Sequence, residues 1–407
     1  MRHGRQRRSS AVANVFKVVG AAVAVAAVSV VSAAAYAALD VSNSLNESVE
    51  LVAETPVPEI VGIGAIDGPL NILLVGSDSR EGYDVDEGED AGGNLNDVNM
   101  LLHVSADHQR AFVISFPRDL MVPIPSCPSE DGTPEYYAAM SEQPLNSALQ
   151  YGGLACAALT IQELTGISIN YAAEISFSGV INMSNAIGGV PVCVAQDIND
   201  IYTGLSLTAG EHVLSGRDAL LFLRTRYGIG SGGDTSRIGS QQAFLSSMVR
   251  TIKSAETLTN PTKVYALAKT TAENLTLSST MNSVPKLLSI AATIRDINTD
   301  EIAFIQYPSV GYAPNPNKVA PDYASAQVLI DAVINDLPVE FTGQGEGAQV
   351  QPDPQAPADP AAPEVPADPA DPTQATTAPA APPETVVTLP PNATGQRASD
   401  VGCVVGN

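Results

Sequence analysis

Several chemistries are missing from this chain. Its four cysteines include no Cys-x-x-Cys pair and its four histidines are scattered, so a zinc site is not expected. No G-x-S-x-G block presents a serine nucleophile and no Walker loop cradles a nucleotide. Gly62-x-Gly64 is too short and too early for a nucleotide site. Cations are scarce: 20 Lys and Arg stand against 44 Asp and Glu, for a net charge of −24. No nucleic-acid partner is expected of so acidic a chain.

Five of those cations (Arg2, Arg5, Arg7, Arg8 and Lys17) fall in residues 1–17, which contain no acid. Residues 18–39 then run 22 positions without a charge, enough to cross a hydrocarbon core and longer than a usual signal-peptide apolar region. They read as a transmembrane anchor, with residues 1–17 as a basic cytoplasmic stub and the bulk of the chain outside. Cleavage after Ser32-Ala33-Ala34-Ala35-Tyr36-Ala37 is the open alternative. Residues 40–68 read as a linker. At the other end, residues 339–407 read as a Pro/Ala/Asp-rich disordered tail, whose A-D-P-A repeats lack the apolar residues to build a core. A small tethering element around Cys403 stays open there. On the exported side disulfides can persist. Cys127 and Cys156 are the preferred pair; Cys193 either pairs with Cys403, bringing the tail end back, or is a buried thiol.

Residues 69–338 remain to fold, a length that suits one large domain. Residues 70–76 form a short apolar run of buried-strand type. Residues 98–105 and 111–116 repeat the signal across a polar stretch, predicting a β-hairpin. Helical spacing covers 146–164 and 177–187, the second stopped by Gly188-Gly189 before a buried strand at 190–194. Ser215 is placed to cap a helix through 219–222, and Ser236 to begin a longer one. Residues 280–294 and 324–337 read as helices and 301–307 as a strand. Helices alternating with buried strands around one hairpin predict a layered α/β domain with a mixed sheet.

The arginines of this acidic body are not scattered. They stand in short blocks beside aspartates or one another, as in Ser77-Asp78-Ser79-Arg80, Pro117-Arg118-Asp119 and Arg224-Thr225-Arg226. Guanidinium is a planar, permanent cation that fits phosphate oxygens, and adjacent carboxylates can hold Mg²⁺. The pattern predicts a site for a polyanionic phosphate substrate. Asp78 and Arg80 follow a strand's C-terminal end, where α/β sheets place ligands. Asp97 opens the next strand; if the two strands are neighbours, both carboxylates can approach one Mg²⁺. Asp119 is expected to orient Arg118 by a bidentate pair. Arg224 and Arg226 would diverge by about 200° on a helix, so they converge only if the helix ends there, as the glycines at 228–233 suggest. Arg237, early in a helix, opposes the dipole unless an anion sits beside it, and Gln241 lies one turn on along the same face. Each block has a plainer reading as a cap, turn or surface pair. His103 reads as a hydrogen-bonded core or edge residue rather than a base.

In order and spacing, these blocks resemble the LytR–CpsA–Psr family of cell-wall glycopolymer ligases. The likeness is carried by Asn71-Ile72-Leu73-Leu74-Val75-Gly76-Ser77-Asp78-Ser79-Arg80, Asp97-Val98-Asn99-Met100-Leu101, Ser115-Phe116-Pro117-Arg118-Asp119, Leu145-Asn146-Ser147-Ala148, Ile187-Gly188-Gly189-Val190, Ala219-Leu220-Leu221-Phe222-Leu223-Arg224-Thr225-Arg226 and Asp234-Thr235-Ser236-Arg237. It implies a three-layer α/β/α sandwich with a central mixed β-sheet, preceded by one transmembrane helix and followed by a disordered tail. An apolar groove or tunnel would hold a polyprenyl chain. The implied activity is that of an extracellular, membrane-anchored transferase in a Gram-positive-type envelope, working as a monomer. It would move a glycopolymer from a polyprenyl-pyrophosphate carrier to a peptidoglycan hydroxyl, with Mg²⁺ as cofactor. By motif, Asp78 and Asp97 would be the metal-side carboxylates and, with Arg118, catalytic. Arg80, Arg118, Arg224, Arg226 and Arg237 would bind pyrophosphate, with Gln241 assisting. Family members often carry arginine where this chain has Leu95 and Ser240. These departures keep open a non-catalytic polyprenyl-phosphate or wall-polymer binding module; a polyprenyl-pyrophosphate pyrophosphatase is the other alternative.

Overall fold

The computed structural model describes residues 11–52, 64–79, 94–129, 135–343, 345, 348–350 and 385–407. Arg80, the acidic stretch 84–90, the stub residues 1–10 and most of the Pro/Ala repeats lie outside the described residues. In chain order, the elements that build the site are α1 (Ala11–Asn43), β1 (Leu70–Ser77), β2 (Asn96–Val104), β3 (Ala111–Phe116), α2 (Ala148–Thr165), β4 (Tyr171–Ile175), α3 (Phe177–Ala186), β5 (Val190–Val194) and β6 (Gly210–Leu214). They continue with α4 (Gly216–Arg224), α5 (Asp234–Lys253), α6 (Pro261–Asn274), β7 (Leu275–Leu277), α7 (Val284–Arg295), β8 (Ile302–Gln306), α8 (Tyr323–Ile334), β9 (Ala348–Val350), β10 (Gly395–Arg397) and β11 (Gly402–Val404).

Along β1, Leu70 and Ile72 enter one core while Leu73 and Val75 enter another, so the strand is apolar on both faces and sits between two layers. The seven-stranded sheet has the order β7-β4-β1-β2-β3-β8-β10 and is mixed. β1 runs antiparallel to β2, with Leu73 opposite Leu101, and parallel to β4. The expected hairpin is the antiparallel β2–β3 pair, with Leu101 opposite Ile114. α2 and α8 close one face through Leu154, Ile161, Leu329 and Val333. α5 and α7 pack Leu245, Val249, Ile290 and Ile294 on the other, which completes the α/β/α sandwich. A four-stranded sheet, β6-β5-β11-β9, leans on α4 and α5 through Val190, Val192, Phe222 and Phe244. α5 begins at Asp234, two residues before Ser236, and Ser215 stands at the N-cap of α4 without a side-chain capping bond.

The Cys127–Cys156 disulfide is formed, and so is Cys193–Cys403. A Cβ on Gly152 would lie 2.4 Å from the Pro128 carbonyl and 2.9 Å from Cys127 Cβ, so only glycine lets α2 approach this closely.

Two expected boundaries need correction. Residues 385–407 are not a disordered tail: β10 extends the main sheet beside β8, and β11 inserts parallel to β5, with Cys403 opposite Cys193. The Pro/Ala composition ends before this segment, which regains Val387, Leu389, Val404 and a cysteine to bury. At the other end, α1 runs past residue 39 to Asn43, into the expected linker. Asp40 does not stop it, because Lys269 of α6 contacts its carboxylate at 2.5 Å and Tyr265 donates to it as well. Within α1, Val23–Asn43 has a mean hydropathy of 1.8 and is long and apolar enough to cross a membrane.

Candidate active site

β1 and β2 are neighbours, and the peptide of Leu95 sets their two aspartates side by side. Its carbonyl accepts the N–H groups of both Asp78 and Asp97, each at 3.1 Å, while its own N–H donates to Asp78 Oδ1 at 2.8 Å. Leu95 thus contributes through its backbone.

Asp97 is the hub of a guanidinium cluster. Arg118 Nη1 donates to its Oδ1 at 2.7 Å, and Arg237 Nη1 and Arg226 Nη2 stand 3.8 and 3.9 Å from its Oδ2. Arg237 also donates through Nη2 to the Asp97 carbonyl at 2.9 Å. A second carboxylate, Asp234 at the start of α5, lies 2.6 Å from Arg237 and 3.8 Å from Arg118. This internal acid answers the conflict between Arg237 and the helix dipole.

The charges are unequally satisfied. Burial disfavours the Asp97 carboxylate, but Arg237, Arg118 and Arg226 outweigh it and hold its pKa below the usual range. Burial likewise opposes the Arg118 cation, yet Asp97, Asp119 and Asp234 push its pKa up. Arg226 is the strained member: burial, then repulsion from Arg237 and Arg118, bring it down to about 10. Asp78 is pushed up by burial, partly relieved by the Leu95 N–H, and raised further by the negative charge of Asp97. A cluster with one destabilised cation is one an incoming anion would stabilise.

Asp119 does not hold Arg118 by a bidentate pair. It lies 3.5 Å from Arg118 Nε and pairs instead with Lys318 at 2.5 Å, leaving Arg118 oriented by Asp97. Gln241 donates its amide to the Leu223 carbonyl at 2.9 Å and so ties α5 to the last turn of α4. That turn ends at Arg224, because Thr225 is extended. The chain therefore sends Arg226 to the Asp97 cluster, while Arg224 lies over the Phe177 ring, 4.5 Å from its centroid. Ser240 is fully buried and donates to the Arg237 carbonyl at 2.9 Å. His103 is a buried core residue bridging Asn71 and Asp336 at 2.6 and 2.9 Å, and burial pushes its pKa down.

Beside this cluster opens a cavity of about 420 Å³. Arg224, Arg237, Gln241 and Asp97 stand in its wall; the rest is overwhelmingly apolar, including Leu74, Met100, Phe177, Leu223, Phe244 and Met248. Arg118, Arg226 and Asp78 are not part of that wall. Among the described residues no group of three or more His, Cys, Asp or Glu forms a metal centre by itself. The carboxylates of Asp78 and Asp97 are neighbouring hard-oxygen donors, while those of Asp234 and Asp119 are ion-paired with Arg237 and Lys318.

One feature had no place in the sequence reading, and a second gives form to the tethering element left open around Cys403. Asp200, buried, accepts the N–H groups of Tyr202 and Thr203 at Oδ1 (2.9 and 3.2 Å) and of Arg226 and Tyr227 at Oδ2 (3.1 and 3.2 Å). Burial works against its charge, but the four donors hold its pKa low. Residues 405–407 then brace the loop between Arg226 and Asp234, since Gly230 N–H donates to the Val405 carbonyl at 3.0 Å and Asn407 N–H to the Gly228 carbonyl at 3.3 Å. Asp in a turn and a cysteine near the chain end were the only local signals of either.

Comparison with known proteins adds relatives to this geometry. The chain is 28% identical over 318 residues to the cell wall biosynthesis protein LcpA of Corynebacterium glutamicum, covering 72% of this chain and 59% of that protein. It is 24% identical over 318 residues to the polyisoprenyl-teichoic acid–peptidoglycan teichoic acid transferase TagT of Bacillus subtilis, covering 76% of this chain and 92% of TagT. The fold matches a LytR-Csp2A-Psr enzyme from Actinomyces oris with a TM-score of 0.52 at 22% identity, over 71% of this chain and 96% of that one. The model of the LytR_cpsA_psr family matches residues 30–332, and with three quarters of its length so matched this chain belongs to that family.

Proposed function

We propose that this chain is a membrane-anchored, extracellular transferase that moves a glycopolymer from a polyprenyl-diphosphate carrier to a peptidoglycan hydroxyl. One observation carries the reading: an apolar cavity whose wall includes Arg237 and Asp97 of the carboxylate–guanidinium cluster, with Arg224 as a further cation. That combination suits a ligand with a hydrocarbon chain at one end and a diphosphate at the other. The named activity of TagT supports the reading, as does the apolar stretch of α1, which would place the cavity near the carrier's own membrane.

In the proposed reaction, the acceptor hydroxyl oxygen attacks the glycan-side phosphorus. A P–O bond forms there, the bond to the bridging oxygen breaks, and polyprenyl monophosphate leaves with that electron pair. Arg118, Arg226 and Arg237 oppose the charge that develops on the phosphoryl oxygens, a preorganised electrostatic role. Asp97 holds those three in place. Its low proton affinity makes it a poor base; Asp78, whose pKa is raised, is the better acceptor for the hydroxyl proton while no cation is bound to it, and would act as a ligand instead where Mg²⁺ binds. The donor set also fits Mg²⁺: a repelling pair of carboxylates, one of them disfavoured by burial, is what a hard divalent cation offsets. Asp78 and Asp97 would hold it, and it would neutralise diphosphate charge.

The test is product analysis by mass spectrometry. The protein in detergent is incubated with a polyprenyl-diphosphate oligosaccharide, a peptidoglycan fragment and Mg²⁺. A phosphate-linked glycan–peptidoglycan adduct with polyprenyl monophosphate is expected. Cleaved lipid without an adduct would mark a pyrophosphatase, and bound but unconverted lipid a binding module.

A further inference from the structure

Next to the arginine cluster lies an aromatic surface that phosphate chemistry does not use. Tyr202 and Tyr227 are 72% and 57% exposed, although large apolar rings normally find cover. Their rings meet, with centroids 4.5 Å apart at 42°. The pair comes from two separate turns, and a single buried side chain holds both: Asp200 accepts the backbone N–H groups of Tyr202, Thr203, Arg226 and Tyr227. Thr203 and Thr225 are further linked through their hydroxyls at 3.1 Å. The approach leaves no slack, because a Cβ on Gly228 would come within 3.1–3.2 Å of Asp200 and Asn199. The rings are thus displayed in a fixed position, one residue along the chain from Arg226, whose guanidinium stands 3.9 Å from Asp97.

We propose that Tyr202 and Tyr227 form a saccharide subsite that holds the first sugar of the donor, with Asp200 as its positioning residue. The proposal rests on the functional reading above. Both tyrosines and Arg226 lie outside the wall of the apolar cavity, so with a hydrocarbon chain in the cavity and a diphosphate on Arg118, Arg226 and Arg237 the glycan extends away from the cavity, and the Arg226 edge of the cluster is one that carries exposed rings. The first sugar is bonded to that diphosphate and must lie within one ring's length of it. Tyrosine suits this ligand: its ring takes the C–H face of a pyranose while its hydroxyl stays wet. Two rings match one or two sugars and fall far short of a protein–protein interface.

Binding of three ligands to the full chain in detergent separates the possibilities. One is geranylgeranyl diphosphate, the second carries N-acetylglucosamine on the same diphosphate, and the third is a soluble peptidoglycan glycan fragment. The Tyr202→Ala/Tyr227→Ala double variant is expected to bind the sugar-bearing diphosphate about 10-fold more weakly, with no change for the sugar-free one. Tyr227→Trp, which keeps a ring, is expected to stay near wild type. Equal weakening toward both diphosphates would show that the tyrosines act only by supporting Arg226, and would overturn the subsite. No weakening toward either would overturn it as well. So would a loss confined to a soluble peptidoglycan glycan fragment, which would assign the rings to the acceptor. If wild type binds neither diphosphate, the functional reading itself fails; if it binds both equally and the variants do too, only the subsite fails.

Discussion

Replacing Asp97 by Asn removes one negative charge from among three guanidinium groups while keeping the side chain's shape. A unit charge pair about 4 Å apart near a protein surface is worth about 4 kcal/mol before desolvation. Breaking a fully buried pair costs about 3–5 kcal/mol net. Asp97 is 22% exposed, and Asn retains an oxygen for Arg118, so the expected loss of folding stability is smaller, about 2 kcal/mol near neutral pH. Urea unfolding reads it as a lower midpoint at unchanged slope. The pH dependence provides a second check. The arginines hold the folded-state pKa of Asp97 below its unfolded value of about 3.9. Its contribution is therefore fully present above that pH and is lost as pH falls through the folded value. The gap between wild type and Asp97→Asn should stay constant from about pH 5 to 8 and close in stronger acid. Equal stability at pH 7, or a gap that persists undiminished in acid, would refute the role of Asp97 as hub.

Three further outcomes follow from the same geometry. Burial and its arginine neighbours lower the pKa of Arg226 to about 10, against the ordinary permanence of a guanidinium charge, so isoprenyl-diphosphate affinity should fall as pH rises toward that value, and Arg226→Gln should remove this limb of the titration. Leu74, 38% exposed on the cavity wall, can be replaced by Trp to fill the space; binding of a long-chain isoprenyl diphosphate should weaken more than 10-fold while inorganic pyrophosphate is unaffected, both read by calorimetry. Cys193→Ser/Cys403→Ser should cost about 2–4 kcal/mol in reversible unfolding and, by releasing the brace at residues 405–407, speed hydrogen exchange at Gly230; protection unchanged at Gly230 would count against the brace.

Local patterns carried much of the fold. β1, β2 and β3 were readable because each is a short apolar run with polar punctuation, and α3 because Gly188-Gly189 stops it. α6 was passed over although Asn260-Pro261 is a cap followed by a first-turn proline, and Asn260 does accept from Thr262 and Lys263. In the site, the grouping of Asp78, Asp97, Arg118, Arg226 and Arg237 was implied by the family resemblance, while the residues alone left it conditional on β1 and β2 being neighbours and on α4 ending at Arg224; both conditions are met, but Arg224 turns to Phe177 instead of converging with Arg226. The partner of Asp119 was not, because Lys318 lies 199 residues away and nothing local points to it. The same holds for β10 and β11: a strand inserted after a long Pro/Ala stretch owes its place to tertiary pairing, which composition does not record.

Calorimetric titration of geranylgeranyl diphosphate, geranylgeraniol and inorganic pyrophosphate into wild type, Leu74→Trp, Arg118→Ala and the Leu74→Trp/Arg118→Ala double variant tests most directly whether cavity and cluster form one site. The account predicts that the amphipathic ligand binds far more tightly than either half, and that each single variant weakens it by removing a different half. Two independent sites, with pyrophosphate binding as tightly as the full ligand and indifferent to its chain, would contradict it.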